Sequence, residues 1–499
     1  MINVLEIEKL TVSLPKNADR LYAIEDINLI VNRNEIVCVV GESGSGKSVT
    51  AFTVMGLHDK RALKMTSGQI LLEGEDITNA SPAVFRARRG EKMAMIFQEP
   101  MTALNPVLKV GDQISEVLKI HTSMTASERK ARVIRAMNDV DLPDPEMMYK
   151  SYPHQLSGGQ RQRIMIAMAL VMEPGLLIAD EPTTALDVTT QANILRLIKE
   201  IQRRRGMGVL FITHDFGVVA DIADRVVVMQ EGKIVEQGTV NEVLKNPSHE
   251  YTKMLIGSVP SMKPPKRDQV SGSPALITKQ INKTFGGLGF FGKGRKVHAA
   301  KSVSFDIRAG ETTGIVGESG SGKSTVARCV IRLIDPNSGK ILINNIDVAK
   351  LKESKLRPLR NNFQIIFQDP YRSLNPRRTV GQSIIEGPTN FGIPLAEATQ
   401  RAKDLMNIVG LQTDSLERFP HQFSGGQRQR ICIARALAME PQILIADEAV
   451  SALDVSVQAQ VLELLDDVKK KFDLAMLFIT HDLRVAAQVC DNIVVTVSY

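Results

Sequence analysis

The octapeptide Gly-Glu-Ser-Gly-Ser-Gly-Lys-Ser occurs twice in this 499-residue chain, at 41–48 and at 317–324. Each copy fits the pattern G-x-x-x-x-G-K-[ST], in which a glycine-rich loop followed by a helix cradles phosphate groups. One such match arises by chance in roughly a few per cent of chains this long, but two identical copies do not. The chain must therefore bind two nucleoside triphosphates, or consist of two modules that each could.

Four further segments repeat in the same order after the two octapeptides. The copies are identical or nearly so; Ile-Phe-Gln-Glu-Pro in the first half, for example, becomes Ile-Phe-Gln-Asp-Pro in the second. The period is far longer than the roughly 20–50 residues of a solenoid repeat, so the chain contains a duplicated domain. The paired segments are 96–100 and 366–370, 153–163 and 420–430, 176–181 and 443–448, and 210–215 and 477–482.

The composition between the repeats predicts a domain boundary. Residues 258–275 are rich in Pro, Ser and charge, which cannot bury a core, and this is typical of a linker. We therefore expect a first domain over 1–257 and a second over 276–499. A second loose stretch at 286–296 is Gly-rich and basic but lacks a Gly-Lys-Ser/Thr ending, so we interpret it as a hairpin loop between two strands.

Each half predicts the same succession of strands and helices. Short β-type segments precede the octapeptides, helix-compatible segments follow them, and a further strand starts at Ser-Gly-x-Ile. Charged amphipathic stretches downstream are typical of helices, and short apolar runs beyond them are typical of buried strands in a parallel sheet. The order indicates a nucleotide-binding α/β core with a helical insertion. These segments are, in the same order, 35–40 and 312–316, 49–57 and 326–334, 67–70 and 338–341, 110–150 and 380–417, and 176–179 and 443–446.

The overall composition excludes several classes of protein. The net charge of +7 is mild for 499 residues; it permits an anionic partner but does not demand one. The four cysteines are too far apart in sequence for a zinc or iron–sulfur pattern, and we expect them to be small core residues in a reducing compartment. The N-terminus lacks the charged-then-apolar order of a signal peptide. The sequence contains no run of about 18 apolar residues, which is the length needed to span a membrane. The cysteines are Cys38, Cys329, Cys432 and Cys490.

The octapeptides predict two phosphate sites with defined roles. In the first, backbone N–H groups of Gly44 to Ser48 should surround the β-phosphate at a helix N-terminus. Lys47 should reach the β- and γ-oxygens, and the Ser48 hydroxyl should ligate Mg²⁺. The second octapeptide repeats these roles. The expected ATP-binding residues are Gly41, Glu42, Ser43, Gly44, Ser45, Gly46, Lys47, Ser48, Gly317, Glu318, Ser319, Gly320, Ser321, Gly322, Lys323 and Ser324.

Two adjacent acids follow a buried apolar run in each half. A P-loop ATPase needs an acid at the end of a buried strand to organise the metal ion. Asp180 and Asp447 are so placed, and the next carboxylates, Glu181 and Glu448, are positioned to polarise the attacking water. A satisfied salt bridge is the alternative, but the repetition of the pair favours metal binding and base catalysis.

A glutamine and a histidine complete each predicted site. Gln98 and Gln368 follow an apolar strand, where an amide could touch Mg²⁺ or the water; a single strand-end Gln would ordinarily be a surface residue. His214 and His481 follow the strand Leu-Phe-Ile-Thr, and their recurrence favours a γ-phosphate sensor over a packed histidine. The expected metal ligands are Ser48, Gln98, Asp180, Ser324, Gln368 and Asp447.

Ser-Gly-Gly-Gln occurs at 157–160 and 424–427, each time directly before an apolar helix. Two glycines let a backbone approach an anion closely, and the helix dipole favours that anion. Because each half already has a P-loop for its phosphates, this second anion-binding end most plausibly serves a nucleotide held by a different module.

The order of P-loop, Gln, Leu-Ser-Gly-Gly-Gln, strand-Asp-Glu, Ala-Leu-Asp (185–187 and 452–454) and His resembles the ATP-binding-cassette ATPases. The resemblance runs from about residue 5 to 495. It implies two P-loop cassettes in tandem, each with a RecA-like parallel-sheet core, an antiparallel β subdomain and a helical subdomain. It also implies ATP and Mg²⁺ as ligands and hydrolysis at both sites.

The same resemblance implies a head-to-tail sandwich of two cassettes. ATP on Lys47 would then be covered by the second signature, and ATP on Lys323 by the first, with Asp187 and Asp454 linking the two sites. The second signature has Phe423 where Leu is usual, but its small anion-facing residues are intact. The covering residues would be Ser424, Gly426 and Gln427 for the first site, and Ser157, Gly159 and Gln160 for the second.

The family also stacks an aromatic side chain on adenine. Tyr22 is the candidate in the first half. The second half offers three alternatives, which are Phe285, Phe290 and Phe291.

Details of sequence narrow the resemblance to the dipeptide/oligopeptide/nickel importers. They include Phe-Gln-Glu-Pro-Met-Thr-Ala-Leu-Asn-Pro and the tail Asn-Pro-Ser-His-Glu-Tyr-Thr at 246–252, where Glu250 replaces the usual proline. A fused chain is most similar to the glutathione-type importer ATPases, with fused microcin and peptide importers as near neighbours. The implied partners are two integral-membrane permease subunits, whose coupling helices would contact the helical insertions, and indirectly a periplasmic or extracellular substrate-binding protein. The implied location is the cytoplasmic face of the cell membrane, as a peripheral protein.

A soluble tandem cassette ATPase acting on ribosomes or DNA is the alternative function. Ribosome-acting members resemble this duplication but carry a long charged helical linker, whereas the linker here is short and Pro-rich. DNA-repair members carry zinc cysteines or long coiled coils, and this sequence shows neither pattern, so we expect no nucleic-acid partner.

The two halves also differ at their ends. The first continues past Gly232 to the tail at 246–252, whereas the second stops at the equivalent position, in 491–499. The expectation is a truncated or frameshifted C-terminus.

Overall fold

The computed structural model describes residues 3–18, 20–59, 61–183, 186–267, 270, 272–286, 296–318, 320–451 and 453–497. The chain divides into two units, Met1–Val259 and Pro260–Tyr499, each with its own core.

The first unit contains ten strands and eleven α-helices among the described residues. Its strands are β1 Asn3–Ser13, β2 Tyr22–Asn32, β3 Ile36–Val40, β4 Lys64–Leu72, β5 Glu75–Asp76, β6 Met93–Ile96, β7 Leu176–Asp180, β8 Gly208–Ile212, β9 Arg225–Gln230 and β10 Lys233–Thr239. Its helices are α1 Lys47–Val54, α2 Pro82–Arg88, α3 Pro100–Ala103, α4 Val110–His121, α5 Ala126–Asp139, α6 Pro145–Tyr149, α7 Gly158–Leu170, α8 Val188–Arg205, α9 Phe216–Ile222, α10 Val240–Lys245 and α11 Glu250–Gly257.

The described part of the second unit contains nine strands and eight α-helices. Its strands are β11 Pro274–Phe285, β12 Val297–Arg308, β13 Thr312–Gly317, β14 Ser338–Ile343, β15 Ile346–Asp347, β16 Phe363–Ile366, β17 Ile443–Asp447, β18 Ala475–Thr480 and β19 Asn492–Thr496. Its helices are α12 Lys323–Val330, α13 Glu353–Leu356, α14 Pro370–Ser373, α15 Val380–Asn390, α16 Leu395–Ile408, α17 Gly425–Leu437, α18 Val455–Phe472 and α19 Leu483–Val489.

Each unit contains one antiparallel sheet and one sheet of mainly parallel strands. The antiparallel sheets have the orders β2-β1-β4-β5 and β12-β11-β14-β15. The core sheets have the orders β10-β9-β3-β8-β7-β6 and β16-β17-β18-β13-β19. All pairs in the core sheets are parallel except β9 with β10, which is antiparallel. This confirms the predicted α/β fold with a parallel core and an antiparallel sheet.

The core strands are buried on both faces, which explains their continuous apolar sequences. All five residues of β3 are buried, and its side chains alternate between two layers. Cys38 and Val40 join the core beneath the helices, whereas Val37 and Val39 join the core shared with the antiparallel sheet. The parallel sheet is therefore the middle layer, and its strand ends carry the predicted site residues.

The helical insertions are confirmed in both units. Residues 110–150 form α4, α5 and α6, and α5 begins with a capping box of Thr125 and Glu128. Residues 380–417 form α15 and α16 and then end in a 3-10 helix, Thr413–Glu417.

The predicted bounds of the helices after the P-loops were wrong. Each helix starts earlier, at Lys47 and Lys323, because Gly46 and Gly322 have φ of 105° and 93° and act as N-caps. Each also ends earlier, at 54 and 330, since the apolar residues that continue the pattern lie in a turn. Gly56, with φ of 61°, is in that turn in the first unit. Apolar periodicity alone extended the predicted helices too far.

The loose stretch at 286–296 connects two antiparallel strands, as predicted. Phe285 at the end of β11 lies opposite Val297 at the start of β12. Residues 287–295 lie outside the described residues, and Phe290 and Phe291 are among them.

All four cysteines are buried, as expected for core residues. Burial raises the pKa of the Cys432 thiol to about 11. In the parts of the chain that the structure describes, no helix combines the length and apolar character needed to cross a membrane.

Candidate active site

The first P-loop lies between β3 and α1, and the second between β13 and α12. The last glycine of each octapeptide is in the left-handed region and packs tightly on neighbouring chain. A Cβ at Gly46 would lie 2.6 Å from the Ile24 side chain, and one at Gly322 would lie 1.8 Å from the Ala299 carbonyl oxygen. Only glycine fits there, so the loop conformation follows directly from the sequence.

Each P-loop lysine is buried and points into its own loop. Lys47 Nζ donates to the carbonyl oxygens of Gly41 and Glu42, at 2.7 and 2.8 Å. Lys323 Nζ donates to those of Gly317 and Glu318, both at 2.8 Å. The ammonium group is therefore held at a fixed position among backbone dipoles, where an anion in the loop would meet it.

The strand-end aspartates lie next to the P-loop serines. Ser48 Oγ donates to Asp180 Oδ1 at 3.1 Å, and Ser324 Oγ donates to Asp447 Oδ1 at 2.8 Å. Burial raises the pKa of Asp180 to about 6, with a further contribution from the charge of Glu181, and burial also raises the pKa of Asp447. A nearby cation would favour the charged carboxylate again. Hydroxyl and carboxylate oxygens are the hard donors that Mg²⁺ prefers, so the donor set fits that ion.

The structure brings the predicted Gln, Glu and His together in each unit. Gln98 Nε2 donates to Glu181 Oε2 at 2.8 Å, and His214 Nδ1 lies 3.3 Å from Glu181 Oε1. The Glu181 carboxylate thus lies between the Gln98 amide and the His214 imidazole, beside the buried Asp180.

The second unit has the same cluster. Gln368 Nε2 donates to Glu448 Oε2 at 2.8 Å, and His481 Nδ1 lies 3.6 Å from the same oxygen. Burial opposes the charge of Glu448, but the hydrogen bond and charge of His481 and the charge of Lys323 outweigh it, so the pKa of Glu448 is below its ordinary value. The carboxylate is ionised at neutral pH and can accept a hydrogen bond from a water molecule.

Both glutamates have a strained backbone. Their φ angles are +47° for Glu181 and +50° for Glu448, in the left-handed region that non-glycine residues rarely adopt. The N–H of each is held by the neighbouring strand, through Ile212 O at 2.9 Å and Ile479 O at 3.0 Å. Such strain persists only where the surrounding structure enforces it, and it is common at functional sites.

The signature residues cap the helices that follow them. Ser157 Oγ accepts from Gln160 N, and Gln160 Oε1 accepts from Ser157 N, at 3.3 and 2.9 Å. Ser424 and Gln427 form the same capping box. The hydrogen bonds described for these residues stay within their own helix N-terminus.

The second glycine of each signature also serves packing. A Cβ at Gly159 would lie 2.8 Å from Thr190, and one at Gly426 would lie 2.3 Å from Val457. The start of α7 therefore packs closely on the start of α8, and α17 on α18. Asp187 caps α8 through a bond from Thr190 N to its Oδ1 at 2.9 Å, whereas Asp454 makes no side-chain cap.

The adenine-stacking aromatics stay a prediction. Tyr22 is the first residue of β2 and is partly buried. Phe285 is the last residue of β11, 41% exposed, with Lys283 Nζ 5.1 Å from its ring centroid.

Ser319 of the second octapeptide, and Ala185 and Ala452 of the Ala-Leu-Asp segments, lie outside the described residues.

Sequence reasoning missed three contacts to the P-loops. Arg20 donates to the Gly44 carbonyl oxygen, and Tyr251 bonds to Glu42. In the second unit, Ser321 Oγ and Thr496 Oγ1 are 2.9 Å apart. In the sequence, residues 246–252 indicated a class of importer. The tyrosine among them was the only signal of a contact to the P-loop.

Residues 24–184 and 300–451 each match the family described as "ABC transporter". The chain belongs to the ABC transporter ATP-binding family. Residues 235–291 match a second family, "Oligopeptide/dipeptide transporter, C-terminal region". The tandem cassettes and the resemblance to peptide importers are thereby confirmed, and the chain is an ATPase of this family.

Curated ABC relatives match along nearly the whole chain. It is 44% identical to the glutathione import ATP-binding protein GsiA of Escherichia coli strain K12, and 45% identical to the protein of that name from Salmonella typhimurium strain LT2. Both alignments span 526 positions and cover 99% of this chain and 84% of the relative.

Proposed function

We propose that this ABC ATPase uses ATP hydrolysis to energise import of a peptide-class substrate, glutathione or a short peptide, through separate permease subunits. The name of the GsiA relatives and the matched oligopeptide/dipeptide region support the substrate class. The observation that carries the mechanism is the Gln–Glu–His cluster beside the P-loop in both units.

Each unit supplies the groups that an ATPase needs. In the first unit, Lys47 and the backbone of the P-loop would bind the triphosphate. Ser48, Gln98 and Asp180 would hold Mg²⁺, and His214 would sense the γ-phosphate. Bound Mg²⁺ would supply positive charge that offsets the charge of the triphosphate. The second unit offers the same roles to Lys323, Ser324, Gln368, Asp447 and His481.

The glutamates then act on water. Glu181 accepts a hydrogen bond from the attacking water and takes its proton, while Gln98 and His214 hold the carboxylate in place. Glu448, Gln368 and His481 do the same in the second unit. By the family resemblance, the Ser-Gly-Gly-Gln residues would cover the ATP of the opposite half. These residues are Ser424, Gly426 and Gln427 for the first site, and Ser157, Gly159 and Gln160 for the second.

Exposed apolar residues near the Gln-bearing segments favour a protein partner there. In the first unit, Phe97, Val107 and Leu108 lie between the end of β6 and the start of α4 and are exposed. In the second, Tyr371 follows Gln368 and is 64% exposed. We assign these surfaces to coupling helices of two permease subunits, which would place the chain at the cytoplasmic face of the membrane and link it indirectly to a substrate-binding protein.

Uptake in cells tests the proposed substrate class. A deletion strain should lose uptake of labelled glutathione or of a labelled dipeptide, and the wild-type chain should restore it. The double variant Glu181→Gln/Glu448→Gln should fail to restore it while still co-purifying with integral membrane proteins. Unchanged uptake of both substrates would contradict the proposal, and co-sedimentation with ribosomes would favour the alternative function.

A further inference from the structure

The tail at 246–252 belongs to a longer segment after β9 in the first unit, residues 233–257, which comprises β10, α10 and α11. From this point the whole segment 233–257 is called the tail. Tyr251 on α11 is 6% exposed and reaches the P-loop, 209 residues away in sequence. Its Oη accepts from Glu42 N at 3.1 Å and donates to Glu42 Oε2 at 3.2 Å. One hydroxyl thus binds both the backbone and the side chain of the second P-loop residue.

The contact acts on the peptide group that also binds the P-loop lysine. The N–H of Glu42 and the carbonyl of Gly41 belong to one peptide unit, and in a trans peptide they point in opposite directions. The N–H donates to Tyr251, while the carbonyl accepts from Lys47 Nζ at 2.7 Å. Tyr251 therefore fixes the orientation of the peptide that positions the lysine ammonium group.

The contact also fixes a negative charge near a phosphate site. The Glu42 carboxylate is half-buried, and the tyrosine hydroxyl donates to one of its oxygens. Loss of that bond would remove one restraint on a carboxylate next to the phosphate site, where like charges repel. Both effects predict weaker nucleotide binding when the hydroxyl is absent.

Tyr251 itself is held rigidly by the tail. Its ring joins the buried core of the first unit, and His249 Nδ1 accepts from Tyr251 N at 3.2 Å. Glu236 on β10 binds the start of α11, accepting from Ser248 N and Oγ at 2.7 and 2.8 Å and from His249 N at 3.2 Å. The hydroxyl is consequently presented to Glu42 from a fixed platform.

We propose that Tyr251 is a positioning residue of the first ATP site, through which the importer tail sets the nucleotide affinity of that site and not of the second. The inference rests on the proposed binding of ATP by the first P-loop. The second P-loop is held differently, because Ser321 Oγ lies 2.9 Å from Thr496 Oγ1 of β19, and Glu318 is exposed. The two sites should therefore differ in affinity although their catalytic clusters match.

The test uses the full chain and a photoreactive ATP analogue, with the label assigned to either half from the peptides that carry it. Tyr251→Phe removes only the hydroxyl. It should raise the half-saturating concentration of the first half about three- to tenfold, the range expected for the loss of one ordinary hydrogen bond, and leave the second half unchanged. At saturating ATP the hydrolysis rate should stay close to that of the wild type.

Three further single changes and one double change distinguish positioning from a general loss of structure. Tyr149→Phe, a matched change on α6, should leave labelling of both halves unchanged. Glu42→Gln removes the negative charge but keeps an oxygen that can accept from the Tyr251 hydroxyl. Adding Tyr251→Phe to Glu42→Gln should therefore weaken labelling of the first half less than Tyr251→Phe does alone, because no carboxylate is left to repel the phosphates. Lys47→Ala should raise the half-saturating concentration of the first half by about 10- to 100-fold.

The outcomes separate the inference from the proposed function. If Lys47→Ala strongly weakens labelling of the first half but Tyr251→Phe matches the wild type, the positioning role is overturned and ATP binding stands. Labelling of the first half that was unchanged by Lys47→Ala would overturn the proposed ATP site itself. A Tyr251→Phe effect of equal size on both halves would show a structural role only.

Discussion

The two units of this chain hold the same catalytic cluster in different surroundings. The Gln-to-Glu hydrogen bond is 2.8 Å in both, and the Ser-to-Asp bond is 3.1 Å in the first unit and 2.8 Å in the second. Yet β9 of the first unit pairs with β10 of the tail, while β19 of the second unit pairs with β13 alone among the described strands. The cluster geometry thus depends on the ends of the parallel strands, whereas the support of each P-loop depends on the edge of the sheet.

The strongest test of the shared chemistry is to change both proposed bases. Glu181→Gln with Glu448→Gln should lower ATP hydrolysis by roughly 10²-fold or more, because a general base contributes about that much. Nucleotide binding should persist, measured by equilibrium binding of a fluorescent ATP analogue. Each single variant shows whether the two units contribute equally, and full turnover in the double variant would contradict the assignment of the base.

Changing the lysines separates the two nucleotide sites. Lys47→Ala should weaken binding in the first unit and Lys323→Ala in the second, each by about 10- to 100-fold, because a charge-assisted contact to phosphate is lost. Photolabelling resolved by half measures each effect. Equal loss in both halves from either variant would show that the sites are coupled in binding and not independent.

The smallest expected effect concerns the support of the tail. Burial opposes the charge of Glu236, but the hydrogen bonds from the start of α11 lower its pKa to about 2. A lowered folded-state pKa stabilises the fold above the ordinary value of 4.5, and this stabilisation is lost as the pH falls towards 2. Glu236→Gln should lower the melting temperature at pH 7 by about 2–4 °C, and the gap to the wild type should narrow as the pH falls from 4.5 towards 2.

Exposed Glu200 on α8 offers the matched control for that measurement. Glu200→Gln should give no gap at any pH in this range. A gap for Glu236→Gln that stayed constant from pH 7 down to about pH 2 would show that its charge does not support the tail.

Much of the fold and the cluster could be predicted because their signals are local. The octapeptides, the apolar strands and the acids that follow them are each contained in fewer than about ten residues, and parallel strands bring their carboxyl ends to one edge of a sheet. That rule places Asp180 and Glu181 beside Lys47 without any knowledge of the intervening chain.

The contacts that sequence reasoning missed depend on distant residues or on backbone conformation. Tyr251 meets Glu42 across 209 residues, and no periodicity records such a pair. The packing of Gly159 on Thr190 was likewise hidden, because a glycine that approaches an anion and one that approaches a helix look identical in sequence. The positive φ of Glu181 and Glu448 could not be predicted, since glutamate has no preference for that region.

The positive φ angles of Glu181 and Glu448 set catalytic activity against the stability of the fold. Left-handed strain costs about 1–3 kcal/mol at each position, and asparagine or glycine would relieve part of it. Either replacement would also remove the carboxylate that acts on water. A chain released from the need to hydrolyse ATP would therefore gain stability at the same two positions that now define its turnover.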